Sequence, residues 1–241
     1  GLKKREIRKQ YKKQRDTACP AKERSKEVDV SKIDNAIHMF KRAIGRGISV
    51  DYLLLDSWFT CEAFIDAVLQ TGGTTHLIGM YKIAKSKFAY KGQQLTYKQI
   101  NNALGKPKRC RRLRLYYKEA LVKYNGKEVK LFFSKQGKGG KWKVFLTTNT
   151  RLSFIEMIEI YQIRWSIEVF FKESKQLLGL GRCQSNNFAG QIAYTTLVLI
   201  QHLMLTLRYR FDAYETMGHL FRTVQSEIQQ CKLNERLWAL F

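Results

Sequence analysis

Val50-Asp51-Tyr52-Leu53-Leu54-Leu55-Asp56 is a short apolar run that stops on a carboxylate. Such a run, too short for a helix and bounded by polar residues, suits a strand covered on both faces, as in the centre of a parallel sheet. Upstream, Ser31 can cap a helix, and Ile33, Ile37, Phe40 and Ile44 recur at steps of three and four until Gly45 and Gly47. Downstream, a helix is expected over 61–70 and a strand over Thr75–Met80. Helix, strand, helix, strand in succession predicts an α/β layer with a partly parallel sheet.

Beyond that layer the period changes. Leu113, Leu115 and Tyr117 alternate, then Val129, Leu131 and Phe133, which predicts strands over Arg111–Tyr124 and Glu128–Ser134. Asn125-Gly126 between them is a hairpin signal, because a tight turn needs positive φ at both positions. A third strand is expected over Trp142–Thr148, after a glycine-rich turn at 136–140. These strands read as a small antiparallel sheet inserted into the α/β layer. The run Gln136-Gly137-Lys138-Gly139-Gly140-Lys141 lacks the spacing of a nucleotide-binding loop, with Trp142 where Ser or Thr is required.

Charge narrows the function classes. The 241 residues hold 44 Lys and Arg against 20 Asp and Glu, a net +24. Such a field gathers anionic partners before any specific contact forms, which disfavours an acidic small-molecule enzyme and points to polyphosphate such as nucleic acid or to an anionic membrane. Half of the surplus lies between Lys106 and Lys143, with fourteen basic residues and two acids. Gly1–Lys26 holds eleven basic residues and three acids without sustained apolar period, and reads as a solvated linker or a basic arm on phosphates.

Cys19, Cys61, Cys110, Cys183 and Cys231 are odd in number and form no C-x-x-C pair, and His38, His76, His202 and His219 show no ligand spacing. Reduced thiols of a cytoplasmic protein fit better than a disulfide framework or a zinc site. Ile192–Leu207 is the longest apolar run, carries Gln201 and His202, and is expected to be a buried core helix and not a membrane span.

A long helix is expected from a cap at Thr150 or Ser153 through Leu178, ended by Gly179 and Gly181. At about 100° per residue, Tyr161, Arg164, Glu168 and Lys175 share a stripe about 60° wide, beside an apolar one of Ile160, Ile167, Phe171 and Leu178. A carboxylate between Arg and Lys at the edge of an apolar face is either a ligand site or an ordinary ion-pair ladder.

Tyr161-Gln162-Ile163-Arg164-Trp165-Ser166-Ile167-Glu168, continuing to Lys175, resembles the Tyr-Arg-Glu-Lys signature of DDE transposases of the insertion-sequence-four group. Leu53-Leu54-Leu55-Asp56-Ser57-Trp58-Phe59 resembles the strand that carries the second aspartate of that group. The resemblance covers roughly residues 30–210 and includes a β-rich insertion between aspartate and glutamate. It implies a ribonuclease-H-like core interrupted by an antiparallel β insertion, with a basic arm or linker over 1–30, core over 31–80, insertion over 81–149, core again over 150–210 and a helical segment over 211–241.

It further implies Asp56 and Glu168 as catalytic metal ligands, for two Mg²⁺ or Mn²⁺ ions in the complete site, and Tyr161, Arg164 and Lys175 as residues that grip DNA phosphates. The partners implied are double-stranded DNA at transposon ends and target, and a homodimer on paired ends, in the cytoplasm on nucleoid DNA, with no membrane partner. Trp58 and Trp165 can stack on a displaced base or pack in the core, packing being the favoured reading. The aspartate of the group's first strand is not found: Asp16, Asp29 and Asp34 end no apolar strand, and Asp51 lies about 16 Å along the strand from Asp56. The expectation is therefore a C-terminal portion with the first strands of the core absent. The alternatives are a non-catalytic basic DNA- or RNA-binding remnant, and a nuclease on the same fold.

Overall fold

The computed structural model describes residues 4–238, apart from positions 73 and 84. It divides into a helical unit, residues 1–30 with 165–241, and a sheet unit, residues 31–164. The first stretch, read from its composition as a solvated linker or a basic arm, is helical. It forms α1 (Lys4–Lys12) and α2 (Pro20–Lys26). Proline at the first position of α2 sets the helical φ, and Glu23–Lys26 at 2.7 Å and Arg24–Glu27 at 2.8 Å brace its length.

The sheet unit runs α3 (Lys32–Gly45), β1 (Tyr52–Leu55), α4 (Glu62–Leu69), β2 (His76–Met80), β3 (Lys87–Tyr90), β4 (Gln93–Thr96), α5 (Tyr97–Ala103), β5 (Lys108–Cys110), β6 (Leu115–Tyr124), β7 (Lys127–Gln136), β8 (Lys143–Thr147) and α6 (Phe154–Gln162). Ser31 caps α3 by accepting from the Asp34 N–H, as its position suggested. β1 and β2 pair in parallel, with Tyr52 opposite His76 and Leu55 opposite Gly79, which bears out the α/β layer.

The predicted antiparallel strands do not form a separate small sheet. β2 pairs with β8 in antiparallel register, Ile78 opposite Thr147, and the whole forms one eight-stranded sheet in the order β1-β2-β8-β7-β6-β3-β4, with β5 added beside β6. Thr148 reinforces the junction, its Oγ1 accepting from the Leu77 N–H at 2.9 Å. Asn125 and Gly126 take φ of 48° and 79° between β6 and β7, as the hairpin reading required. Lys91-Gly92, with φ of 49° and 79°, turns the β3–β4 hairpin in the same way.

Alternation along the strands fills both faces. Val129, Leu131 and Phe133 join Leu77, Val144 and Leu146 under α3, α4 and α5. Phe132, Phe145 and Ile78 face the other way, under Phe154, Met157 and Tyr161 of α6. Phe132 and Phe133 are both fully buried, and each such ring removed from water contributes about 1.5–3 kcal/mol. Ser153 and Glu156 form a reciprocal capping box that starts α6.

One core hydroxyl is unsatisfied. The Tyr81 ring packs among Phe88, Tyr97 and Tyr124, and its oxygen is buried without a hydrogen-bond partner among the described residues. Burial pushes its ionisation well above the ordinary tyrosine range. Tyr81→Phe keeps the ring and removes that oxygen, so it is expected to be neutral or to stabilise by about 1 kcal/mol in urea unfolding. The folded protein holds this proton more tightly than the unfolded chain. Its contribution is thus intact below about pH 10 and falls as pH rises further, and the variant is expected to lose less stability there.

The helical unit continues with α7 (Ser166–Gln176), α8 (Phe188–Phe211) and α9 (Met217–Trp238). Ala21 of α2 is buried, and Tyr11 and Arg15 bracket the Phe188 ring at the start of α8, at 4.9 Å and 5.3 Å between centres. Contrary to the expectation of a buried core helix, α8 buries only Val198 and Leu205 among its described residues, while Leu197, Leu203 and Met204 are 59–65% exposed. α2, α7 and α9 pack against it, yet most of its large apolar side chains stay exposed. At 24 residues it is long and apolar enough to cross a membrane by length and composition.

Candidate functional site

Asp56 is the first residue beyond β1, and its turn is fixed on both sides of the peptide. Its Oδ1 accepts the N–H of Trp58 at 2.8 Å and of Phe59 at 3.2 Å. Its carbonyl accepts the Thr60 hydroxyl at 2.6 Å and the Thr60 N–H at 3.1 Å. Thr60 is fully buried and stands over Gly79 of β2, where a Cβ would lie 2.7 Å from Thr60 Cγ2 and closer still to Oγ1. The parallel neighbour of β1 thus lacks a side chain at the one place where the Asp56 turn folds down on it. An isolated glycine within a strand pattern is the signal that could have found this approach in the sequence, and Thr60 itself gives none.

The second group in the sheet unit comes from α6. Tyr161 is 9% exposed, its ring meets Phe145 edge-on at 5.0 Å, and its hydroxyl donates to the Leu55 carbonyl at 3.0 Å. The hydroxyl that the resemblance aims at a phosphate is therefore engaged with the strand leading into Asp56. Burial pushes its ionisation up, the Arg164 guanidinium beside it pulls down, and the Asp56 carboxylate adds a smaller upward push. Arg164 is half-buried, its guanidinium carbon 5.8 Å from the centre of the Tyr161 ring. Asp56, Tyr161 and Arg164 are thus neighbours in one unit. Trp58 is 69% exposed, against the expectation that it packs.

The helix expected to run unbroken from Ser153 to Leu178 is interrupted. α6 ends at Gln162, a 3-10 turn spans Ile163–Trp165, and α7 begins at Ser166. A single stripe of Tyr161, Arg164, Glu168 and Lys175, reckoned for one continuous α-helix, does not carry across this turn. No glycine or proline marks the break in the sequence. Short 3-10 segments between helices often coincide with functional hinges.

Glu168 and Lys175 belong to the helical unit. Glu168 lies in the first turn of α7, half-buried, and lines a cavity of about 330 Å³ with Trp165, Lys172, Glu173 and Gly218. Lys175 is exposed in the last turn, where a cation complements the helix C-terminus. Glu173, the other carboxylate of α7, is held by His202 at 3.2 Å. Trp165 is 61% exposed and does not pack as expected, and Ile167 and Phe171 of the apolar stripe are 50% and 45% exposed. Among the described residues no three of His, Cys, Asp and Glu gather closely enough to hold a metal ion.

The family described as the transposase DDE domain matches residues 25–204, well over half of the chain. The chain belongs to that family. No curated protein matches it. Among solved structures it is similar to the cryo-EM structure of a piggyBac transposase synaptic complex with hairpin DNA, at 12% identity and a TM-score of 0.48. The match covers 87% of this chain and 42% of that one, so the chain spans less than half the length of that relative.

Proposed function

We propose that the chain is the C-terminal part of a DNA transposase of the insertion-sequence-four group, with Asp56 and Glu168 as two of its three catalytic carboxylates. Family membership over residues 25–204 carries this reading. The parallel β1–α4–β2 unit, with a carboxylate at the end of its first strand and an antiparallel extension, supports a ribonuclease-H-like core.

The donor set suits hard divalent cations. Asp56 is exposed, and both amide N–H bonds go to its Oδ1. Carboxylate oxygens of this kind select Mg²⁺ or Mn²⁺ and need neither Cys nor His. Held there, such ions would supply the chemistry of activating an attacking water or 3′-hydroxyl and of steadying the leaving oxygen. Asp56 and Glu168 would hold them, and the first aspartate that the group's pattern calls for is not found in the 241 residues. Tyr161 anchors the strand of Asp56 and stands beside Arg164, while Arg164 and Lys175 grip phosphates of the transposon end. Arginine suits that task through bidentate bonds. Cleavage and joining would then proceed on nucleoid DNA in the cytoplasm, by a homodimer on paired ends.

The test compares Arg164→Ala and Lys175→Ala with Lys41→Ala, an exposed lysine on α3. Charge-assisted bonds of about 1.5–3 kcal/mol predict losses of roughly tenfold or more in duplex DNA affinity for the first two, and little for the third. Equal losses at all three positions would favour a basic binding remnant instead. The 241-residue chain is expected to bind duplex DNA without cutting it in Mg²⁺ or Mn²⁺, and end cleavage that Glu168→Ala abolishes would show the site to be complete.

A further inference from the structure

Two lysines share one indole on the sheet. Lys118 of β6 and Lys135 of β7 lie with their Nζ atoms 5.3 Å and 4.8 Å from the ring centre of Trp142, which precedes β8 and packs on the core beneath. In register, Lys118 stands opposite Phe133 and Lys135 opposite Tyr116, so the two cations are diagonal neighbours on one face. Like charges so placed repel. Lys118 shows the consequence, since burial first and the Lys135 charge second hold its ammonium below the usual lysine range.

The neighbouring sequence offers little negative charge to offset them. From Val129 to Ile155 it has no Asp or Glu. Glu119 of β6 is committed elsewhere, to Lys130 at 3.1 Å and Lys108 at 3.4 Å. Lys118 Nζ donates to the carbonyls of Asn101 at 2.7 Å and Leu104 at 3.0 Å, at the end of α5, and Lys135 Nζ to that of Lys138 at 2.8 Å. An ammonium has three N–H bonds, so these hydrogen bonds leave one on Lys118 and two on Lys135. The glycine-rich turn beside them adds Lys138 and Lys141, and is held tight at Gly140, where a Cβ would strike the Gln136 carbonyl oxygen.

We propose that Lys118, Lys135 and Trp142 form a seat for a phosphate of the duplex DNA backbone, separate from the Asp56 turn and blind to base sequence. A phosphate there takes up the remaining N–H bonds and offsets the repulsion between the two lysines. The half-buried indole offers an apolar floor to the adjoining sugar. The proposal rests on the DNA-binding reading above and names a second place of contact for the same partner.

The test uses the full chain and a 20-base-pair duplex of arbitrary sequence, with affinity measured by fluorescence anisotropy from 50 to 200 mM salt. A phosphate contact contributes about 0.9 to the log–log salt slope, so Lys135→Gln is expected to reduce the slope by about one and the affinity by about eightfold at 0.1 M salt. Lys135→Arg is expected to retain both, and Trp142→Ala to lower affinity without changing the slope. Lys118 also holds the end of α5, so its replacement is not used. A loss at Lys135→Gln no greater than at Lys41→Gln overturns the seat and leaves DNA binding itself standing. Absence of salt-sensitive duplex binding by the unaltered chain overturns both readings, and tighter binding of an RNA duplex overturns the choice of DNA.

Discussion

Gly79→Ala is expected to destabilise the sheet unit by about 3 kcal/mol, at the upper end of what overpacking a core costs. The new methyl group would lie 2.7 Å from Thr60 Cγ2, nearer to Oγ1 and 3.0 Å from Cβ. Thr60 cannot swing aside cheaply. It is fully buried, and its hydroxyl and N–H both bond the Asp56 carbonyl, at 2.6 Å and 3.1 Å. β2 cannot retreat either, because it is paired on both sides, to β1 and to β8. The strain is therefore relieved by displacing the Asp56 turn, and Asp56 should lose its fixed position along with the lost stability. Urea unfolding measures the first effect. Adding Thr60→Ala removes the two nearest atoms, so the double variant should cost less than the sum of the single changes. A cost below about 0.5 kcal/mol for Gly79→Ala would mean that the turn is looser than its hydrogen bonds indicate.

The second large effect is on DNA affinity. A chain of net +24, with fourteen basic residues and two acids between Lys106 and Lys143, is expected to contact several phosphates at once. If six to ten are neutralised, affinity for a nonspecific duplex should fall about 10³- to 10⁵-fold between 50 and 200 mM salt, through release of condensed counterions. Titrations at four salt concentrations suffice to give the slope. A slope near two would mean that most of this charge is spent on solubility and not on a phosphate-tracking surface. The magnitude matters for any assay of the site, because binding measured at low salt would hide the loss of a single contact such as Arg164.

Those parts of the fold that adjacent residues decide among themselves are legible in the chain's own pattern. Leu53-Leu54-Leu55 announces a strand because no helical period fits it, although β1 lies at the sheet's border with only Leu55 buried and not, as the apolar run suggested, covered at its centre. Asn125-Gly126 announces a hairpin because few other pairs accept positive φ twice. Ser153 with Glu156 marks a helix start through a purely local exchange of hydrogen bonds. What the sequence conceals is set at a distance. The pairing of Ile78 with Thr147 joins the last strand before the insertion to the insertion's own last strand, and no local pattern distinguishes that from a separate sheet.

The site is legible in the same uneven way. Asp56 stands out as a strand-terminal carboxylate, whereas the spacing that sets Tyr161, Arg164, Glu168 and Lys175 on one stripe holds only for an unbroken helix. The hydroxyl bond from Tyr161 to Leu55 depends on where α6 packs on the sheet, which spacing does not encode. The turn at Ile163–Trp165 is hidden for another reason: its residues are all compatible with a helix interior, and only the assembled chain breaks there. The apolar face of α8 misleads because composition reports how much surface could be buried, not how much its neighbours cover.

β1 is the terminal strand in the sheet order, only four residues long, with Asp51 just before it and Asp56 just after it. A strand at a sheet's border invites the same strand of another molecule to align with it, and shortness together with flanking charge is how natural proteins discourage this. Asp56 therefore discourages such pairing, in addition to the role proposed for it above. Replacing it with a neutral residue removes one of two negative guards, so a failed preparation of such a variant reports on clumping as readily as on chemistry. Its monodispersity must be measured before any loss of function is ascribed to the carboxylate.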